Sequence, residues 1–230
     1  MNIEPLSDIK IIDSWCKNAS PWTNAVRSGE IESRKLITNQ AIIDAVISYS
    51  PKSVLDLGCG EGWLTRELAT QGINVVGVDV VPELIEKAKQ AGGNFLNISY
   101  EEIQQGKLSI SVDVVVCNFA LFGKESVEGL FKTITKLLNP KGLFIVQTLH
   151  PLVACGDFPY LDGWREGSWA GFNDDFTDPA PWYFRTLESW VKLFNSSGLR
   201  LIEVREPLHP KTQKPASIIF ISCNIQQISC

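Results

Sequence analysis

Two hydrophobic periodicities alternate along the chain and lay out its elements. Residues 54–57 form a short β-branched, apolar run, which predicts a buried parallel strand. Residues 63–71 then place Leu64, Leu68 and Ala69 on one side of a helix. Strand-like runs recur at 74–78, 94–98, 113–117, 143–149, 199–205 and 216–223. Helical patterns fall between them. Residues 82–91 open with a proline at the first helical position. Residues 125–138 bury Val127, Leu130, Phe131 and Ile134, and 186–196 are capped by Thr186 and ended by Gly198. Upstream, residues 30–49 read as one long amphipathic helix. Residues 9–29 read as shorter helices carrying Trp15, Trp22 and Val26, with Ser20 as a cap before Pro21. Asn139-Pro140-Lys141-Gly142 marks a turn before the fifth strand. Strands alternating with helices predict an α/β domain around a parallel sheet.

Residues 150–185 fit neither period. They hold Tyr160, Trp164, Trp169, Phe172, Phe176, Trp182, Tyr183 and Phe184 among Gly, Asp and Pro. A loop this long is uncommon inside a compact domain unless it is functional.

The first strand and its helix are joined by Gly58-Cys59-Gly60-Glu61-Gly62, preceded by Asp56. Strand, glycine loop and helix in this order open a nucleotide-binding half. The glycines let the backbone turn tightly and approach a ligand closely. The dinucleotide spacing G-x-G-x-x-G fails, because its third glycine would fall at Trp63. The second strand leads into Asp79, a carboxylate about 20 residues past the first glycine, where it suits a ribose diol.

This arrangement resembles the class I S-adenosylmethionine (SAM)-dependent methyltransferases of the small, single-domain type, over residues 35–223. The run Leu137-Leu138-Asn139-Pro140-Lys141-Gly142-Leu143-Phe144-Ile145-Val146 is a second anchor for the resemblance. The resemblance implies a Rossmann-like seven-stranded sheet of order 3-2-1-4-5-7-6, with strand 7 antiparallel and helices on both faces. It implies one domain over 1–230, with an N-terminal helical arm (1–49), a SAM-binding core (50–149), a lid (150–185) and a C-terminal helix and hairpin (186–230).

By the same resemblance, Gly58, Gly60 and Asp79 hold SAM, and Asp56 braces the loop or reaches the methionine end. Val80 packs on the adenine, and the turn Asn97-Ile98-Ser99 meets its edge. That turn departs from the family's pattern by offering no aspartate, so Asn97 or Ser99 would accept the adenine amino group instead. A basic residue in the helix before the first strand often meets the methionine carboxylate, which singles out Arg34; an exposed arginine is the other reading. Asn118 and Phe119 end the fourth strand, where ligands bind in open parallel sheets, and so would lie beside the transferred methyl group. DNA amino-methyltransferases carry Pro-Pro-aromatic after this position, and Phe119-Ala120 disfavours that class.

The aromatic segment leaves the fifth strand beside the methyl donor and reads as a substrate lid, with Trp164, Trp169, Tyr183 and Arg185 as acceptor contacts. An insertion packed on itself is the alternative, just as Trp15 and Trp22 either cover the site or pack on the core. Asp157, Asp162, Glu166, Asp174, Asp175 and Asp178 outnumber Arg165 and Arg185 there, which favours a cationic or amine-bearing acceptor. Of the two histidines, His150 directly follows the fifth strand and is the candidate base or orienting residue; ordering the turn before Pro151 is its other reading. His209 lies in the last hairpin. No His/Cys/carboxylate cluster has metal-ligand spacing, so no metal is expected.

Composition narrows the partners. A chain of 230 residues with 44% apolar content suits one ordinary core. The net charge of −5 argues against a nucleic-acid substrate. The first ten residues do not read as a signal peptide, and no apolar run reaches the length of a membrane span. Six cysteines without C-x-x-C spacing suggest reduced thiols in a cytoplasmic protein. The expectation is an enzyme that moves a methyl group from SAM to an oxygen, nitrogen or carbon of a small molecule and releases S-adenosylhomocysteine (SAH), as a monomer or weak homodimer. A protein or RNA methyltransferase, and a SAM- or SAH-binding module without catalysis, are the alternatives. A nicotinamide dehydrogenase is disfavoured by the glycine spacing and the antiparallel last strand.

Overall fold

A computed structural model describes residues 4–225. Its sheet is built from β1 (Ser53–Leu57), β2 (Asn74–Asp79), β3 (Asn94–Asn97), β4 (Val112–Asn118), β5 (Leu138–Thr148), β8 (Leu199–Arg205) and β9 (Ile218–Asn224). The strands lie in the order β3-β2-β1-β4-β5-β9-β8. This is the expected topology, with the numbering advanced by two short strands, β6 (Gly163–Arg165) and β7 (Trp182–Phe184), which pair with each other outside the main sheet. Pairing is parallel from β3 to β5, and β9 inserts antiparallel between β5 and β8.

Alternation along the central strands sends side chains to two cores. Leu55, Leu57, Val115, Cys117, Phe144 and Phe220 face one side. There Phe131 of α7 (Glu125–Ile134) meets Phe194 of α9 (Leu187–Ser196) at 5.0 Å between ring centroids. On the other side Val54, Val114, Val116, Ile145 and Ile219 pack on Ile42 and Val46 of α3 (Asn39–Ile47) and on Leu64 and Leu68 of α4 (Trp63–Thr70). Valine-rich strands buried on both faces are what a parallel sheet needs.

The remaining helices position the site. An N-terminal arm of α1 (Asp8–Lys17) and α2 (Ala19–Ser28) precedes a π-helical turn, Arg34–Thr38, that runs into α3. The expected single helix over 30–49 is observed as one continuous run over 32–47 that contains this widened turn, a feature often found at functional sites. The cap of α2 is Asn18, not Ser20. Helix α5 (Pro82–Gln90) starts at its proline, as expected. A short helix, α6 (Tyr100–Gln104), appears where none was expected, held by a capping box between Ser99 and Glu102. Helix α7 stops at Ile134, and β5 already begins at Leu138. The Asn139–Gly142 turn is absorbed as an irregularity in β5: the register jumps from Val112↔Leu138 to Val114↔Leu143, with Lys141 at φ 65°. No local side chain caps α7. Asp8, far away in sequence, accepts from the amides of Lys124 at 2.7 Å and Ser126 at 2.6 Å, placing negative charge at that helix start. Among the described residues no helix is long and apolar enough to cross a membrane.

Candidate cofactor and acceptor site

The carboxyl ends of β1, β2 and β4 open into a cavity of about 340 Å³. The glycine loop forms its floor. Gly58 has φ 71°, and a Cβ there would lie 2.3 Å from that of Ala120, so only glycine fits this approach of two backbones. The Gly60 amide donates to Asp79 Oδ2 at 2.9 Å, and the Val81 amide donates to Oδ1, also at 2.9 Å. Burial raises the Asp79 carboxyl pKa above the ordinary aspartate range. Each of its oxygens keeps acceptor capacity for a ligand. Val80, Val81 and Leu84 continue the wall.

Asp56 lies beneath the loop, buried and away from the cavity lining. It accepts from Thr65 Oγ1 at 2.8 Å, tying β1 to α4. Burial without a contacting cation pushes its carboxyl up to about 7. Of the two roles expected for it, the structure places it in the bracing position.

Arg34 faces the cavity from the π-helical turn. Its guanidinium lies 4.8 Å from the Trp63 ring centroid and 5.7 Å from that of Trp22, while Nε donates to Asn39 Oδ1 at 3.2 Å. Nη2 is buried without a hydrogen-bond partner, and burial pulls the group down to about 10. A desolvated guanidinium with an unpartnered nitrogen is suited to an anion. The hydroxyl of Thr38 on the same turn and the side-chain oxygen of Asn118 at the end of β4 are likewise without partners. Phe119, beside Asn118 on the cavity wall, has φ 51°, a left-handed conformation unusual for an aromatic residue, with its amide donating to Gln147 O at 2.8 Å.

The turn expected to meet the adenine lies off the cavity wall. Asn97 Nδ2 donates to Asp79 O at 2.9 Å, the Ile98 amide donates to the same carbonyl at 3.0 Å, and Ser99 caps α6. These bonds tie Asn97, Ile98 and Ser99 to the chain itself, and none of the three lines the cavity. Tyr100 and Glu101 do. The Tyr100 hydroxyl donates to Ala120 O at 3.3 Å, and burial pushes its phenol well up.

The segment 150–185 covers the opening, but through other residues than the sequence suggested. Phe172 reaches the cavity, joined there by Trp15 and Trp22 of the arm and by Phe122. Trp169 stands one layer behind, its ring 5.7 Å from Trp15 and its Nε1 donating to Thr177 O at 2.9 Å. Trp164 and Tyr183 lie off the wall, packed edge to face at 5.6 Å across the β6–β7 pair. Arg185 is buried and spent on structure: Nη1 donates to Gly123 O at 2.8 Å, Nη2 donates to Lys124 O at 3.1 Å, and the Tyr183 and Trp190 rings flank it. His150 is also buried off the wall. Its Nε2 pairs with Glu206 Oε1 at 2.7 Å, and Nδ1 has no partner; the cavity is reached by Leu149 instead.

Segment 150–185 and the N-terminal helices are latched together. Asn18 exchanges two hydrogen bonds with Thr177, at 2.7 and 2.9 Å, and Lys17 pairs with Asp178 at 2.6 Å. Lys10 joins the same carboxylate, and Ser14 donates to the Asp178 carbonyl. The two tryptophans of the arm thus cover the site.

A family profile described as a methyltransferase domain matches residues 36–204. The chain belongs to the methyltransferase domain family. This methyltransferase is 28% identical over 181 residues to an uncharacterized methyltransferase of Schizosaccharomyces pombe, covering 74% of this chain and 67% of that one. It is 30% identical over 151 residues to a ubiquinone biosynthesis O-methyltransferase of Rickettsia felis, covering 61% of this chain but only 58% of the relative's length. Among solved structures it resembles the 1,6-didemethyltoxoflavin-N1-methyltransferase of Burkholderia thailandensis, with a TM-score of 0.63 at 18% identity over 97% of this chain and 93% of that one. A SAM-dependent methyltransferase of Clostridium acetobutylicum gives a TM-score of 0.62 at 14% identity, over 88% and 96% of the two chains. At these identities the solved structures bear on the fold.

One residue of the methyltransferase's site gave no signal in sequence. Glu61, between two loop glycines, is buried and receives Arg27 Nε at 2.8 Å and Arg66 Nη2 at 2.7 Å. It fastens the arm to α4 across the glycine loop. The spacing of Arg34 and Thr38, four residues apart on a helical segment, is the one pattern that could have paired those two in advance.

Proposed function

We propose that this methyltransferase binds SAM in the cavity and transfers its methyl group to a small-molecule acceptor, releasing SAH. One observation carries the reading. A single cavity presents a close-approach glycine floor, a carboxylate with free acceptor capacity at Asp79, and an unfilled guanidinium fork at Arg34. A ribose diol and an amino-acid carboxylate on one ligand would satisfy both polar groups. When bound, SAM supplies a methyl group on a sulfonium, so the leaving group is already activated.

The chain's own part is placement. Val80, Val81 and Leu84 offer an apolar face for a purine. Glu101, rather than Asn97 or Ser99, is the side chain at hand to accept from its amino group. Trp15, Phe122 and Phe172 enclose the acceptor and exclude water. Holding two reactants in line can lower a barrier by roughly 7–11 kcal/mol. His150 would act as a base only if its ring left Glu206 and turned to the cavity; held as it is, it orders the start of the lid.

A cavity of this size, partly covered by the arm and by Phe172, favours an enzyme over a binding module with a filled core. The small-molecule reading is supported by the Rickettsia relatives, named as ubiquinone biosynthesis O-methyltransferases, and by the Burkholderia structure, which holds 1,6-didemethyltoxoflavin. The cysteines among the described residues are unpaired, which suits a reducing cytoplasm. Thermal unfolding with SAM, SAH and NAD in parallel tests the proposal. A ligand of the native state at 100 times its Kd adds about 2.7 kcal/mol. SAM and SAH should each raise the Tm while NAD leaves it unchanged; a response to NAD alone would overturn the reading.

A further inference from the structure

Resting on the SAM reading, we propose that Asp8 is the residue that recognises the acceptor, and that the acceptor presents a hydroxyl or N–H group to it on an apolar body. Asp79, Glu101 and Arg34 serve the donor, and the Glu61 carboxylate is held by Arg27 and Arg66. Toward the arm the wall is built from Ile11, Ile12, Trp15 and Phe122, with Asp8 and Ser126 set among them. Asp8, Ile11, Ile12 and Trp15 follow one another at helical spacing along α1, so they share one face. An apolar pocket takes its orientation and specificity from a few polar groups placed in this way.

Asp8 is held in place from two directions. The turn 122–126, which joins β4 to α7, gives its carboxylate the amides of Lys124 and Ser126 at 2.7 and 2.6 Å. The carbonyls of the same turn go to segment 150–185. Phe122 O accepts from the Tyr183 amide at 2.7 Å, Gly123 O from Arg185 Nη1 at 2.8 Å and Lys124 O from Arg185 Nη2 at 3.1 Å. Arm and lid thus grip one turn, and the carboxylate is fixed before an acceptor arrives. Gly123 does not have a positive φ, yet a Cβ there would lie 2.8 Å from Asp8 Oδ1 and closer still to Ser126 Oγ. The glycine is clearance for these two side chains. Two amides leave the carboxylate about half of its roughly four acceptor positions. Capping α7 alone does not call for this arrangement. A helix is ordinarily capped by the residue that precedes it. That residue is Lys124, and the cap comes instead from a side chain that lines the cavity.

The chemistry selects the ligand. A hydroxyl, amide N–H or ammonium can donate to the open positions of Asp8. An acceptor of the same shape without a donor would strip water from those positions and return nothing, which is costly for a charged group. An anionic acceptor would bring a second negative charge against Asp8 among apolar side chains, with Arg34 committed to the donor.

Four probes on one ring separate the cases. Phenol and benzylamine carry a donor, anisole carries none, and benzoate carries the wrong charge. SAH binding is first established by the thermal shift, so failure there sinks the functional reading and not this inference. NMR titration of SAH-loaded protein should then show phenol and benzylamine binding about tenfold more tightly than anisole, with benzoate the weakest. Asp8→Asn should bring phenol and anisole to within about twofold of each other and relieve the exclusion of benzoate. A residue that only caps α7 would lower the Tm on substitution and leave these ratios as they are. A parent protein that binds phenol and anisole alike, prefers benzoate, or binds neither phenol nor benzylamine overturns the proposal without recourse to a variant. Retention of the full preference in Asp8→Asn overturns it as well, as does its loss in Glu101→Gln with Asp8 intact.

Discussion

The Gly60 amide donates to the Asp79 carboxylate at 2.9 Å, which makes the turn after β1 and the end of β2 one unit. The carboxylate is therefore already oriented before a ligand arrives. Hydrogen bonds to a charged group contribute about 1.5–3 kcal/mol each. Asp79→Ala is expected to weaken SAM by ~10–100-fold in calorimetry, with far-ultraviolet circular dichroism unchanged. An unaltered Kd would remove Asp79 from the site.

Arg34 pays for its readiness in stability. Its guanidinium is desolvated with one nitrogen unsatisfied, so the free protein carries a cost that a bound carboxylate relieves. Arg34→Met keeps the aliphatic packing on Trp63 and removes the charge. The variant should unfold at a higher denaturant concentration than the parent without ligand, by ~1–3 kcal/mol, yet lose most of its SAM affinity. A less stable variant that still binds SAM normally would contradict both halves.

Asp56 sets a pH dependence with a definite sign. Its carboxyl titrates near 7 when folded, raised by burial, against about 3.9 when unfolded. Between those values the native state holds a proton that the unfolded chain has lost. Stability therefore falls as pH rises through that window. Asp79 is shifted in the same direction and adds to the slope. Urea unfolding at pH 5 and pH 8 should show a smaller loss for Asp56→Asn than for the parent. An identical loss would mean that Asp56 is ionised throughout.

The latch at Asp178 is mostly exposed charge, so its contribution to global stability should be under ~1 kcal/mol. Its effect is local. Asp178→Ala should leave the Tm within a few degrees, speed proteolytic cleavage within 150–185, and raise the KM for acceptor. Added salt should mimic the variant in the parent, because screening weakens exposed pairs first. Cleavage at parental rates would show that the aromatic contacts hold the lid alone.

Much of the fold was legible because its signals are local. The valine-rich strands, the glycine loop and the proline at the start of α5 each act within a few residues, and the sheet order followed from the resemblance. The cavity wall was legible where it is built by strand ends, as at Asp79, Val80 and Asn118. It was obscure where the decisive contact spans the chain. Nothing near Arg34 announces that Trp22 and Trp63 will bury it. Nothing in the lid distinguishes Phe172, which reaches the cavity, from Trp164, which a β-pair turns toward Tyr183. Arg185 looked available for substrate because its two carbonyl partners lie some sixty residues away in sequence. Asn97 and Ile98 turn to the Asp79 carbonyl and Ser99 caps a helix too brief to give a periodic pattern, so none of the three lines the cavity.

The Asn18–Thr177 exchange joins segments 159 residues apart, and it has a consequence for anyone who would re-engineer the enzyme. The cover of the cavity is one object encoded in two separate stretches of sequence, an early helix pair and a late loop. Transplanting the loop alone into a related enzyme would carry half of each bond, and the graft would hang open. A change of acceptor by recombination must move both pieces together, whereas the sheet between them can stay with its host.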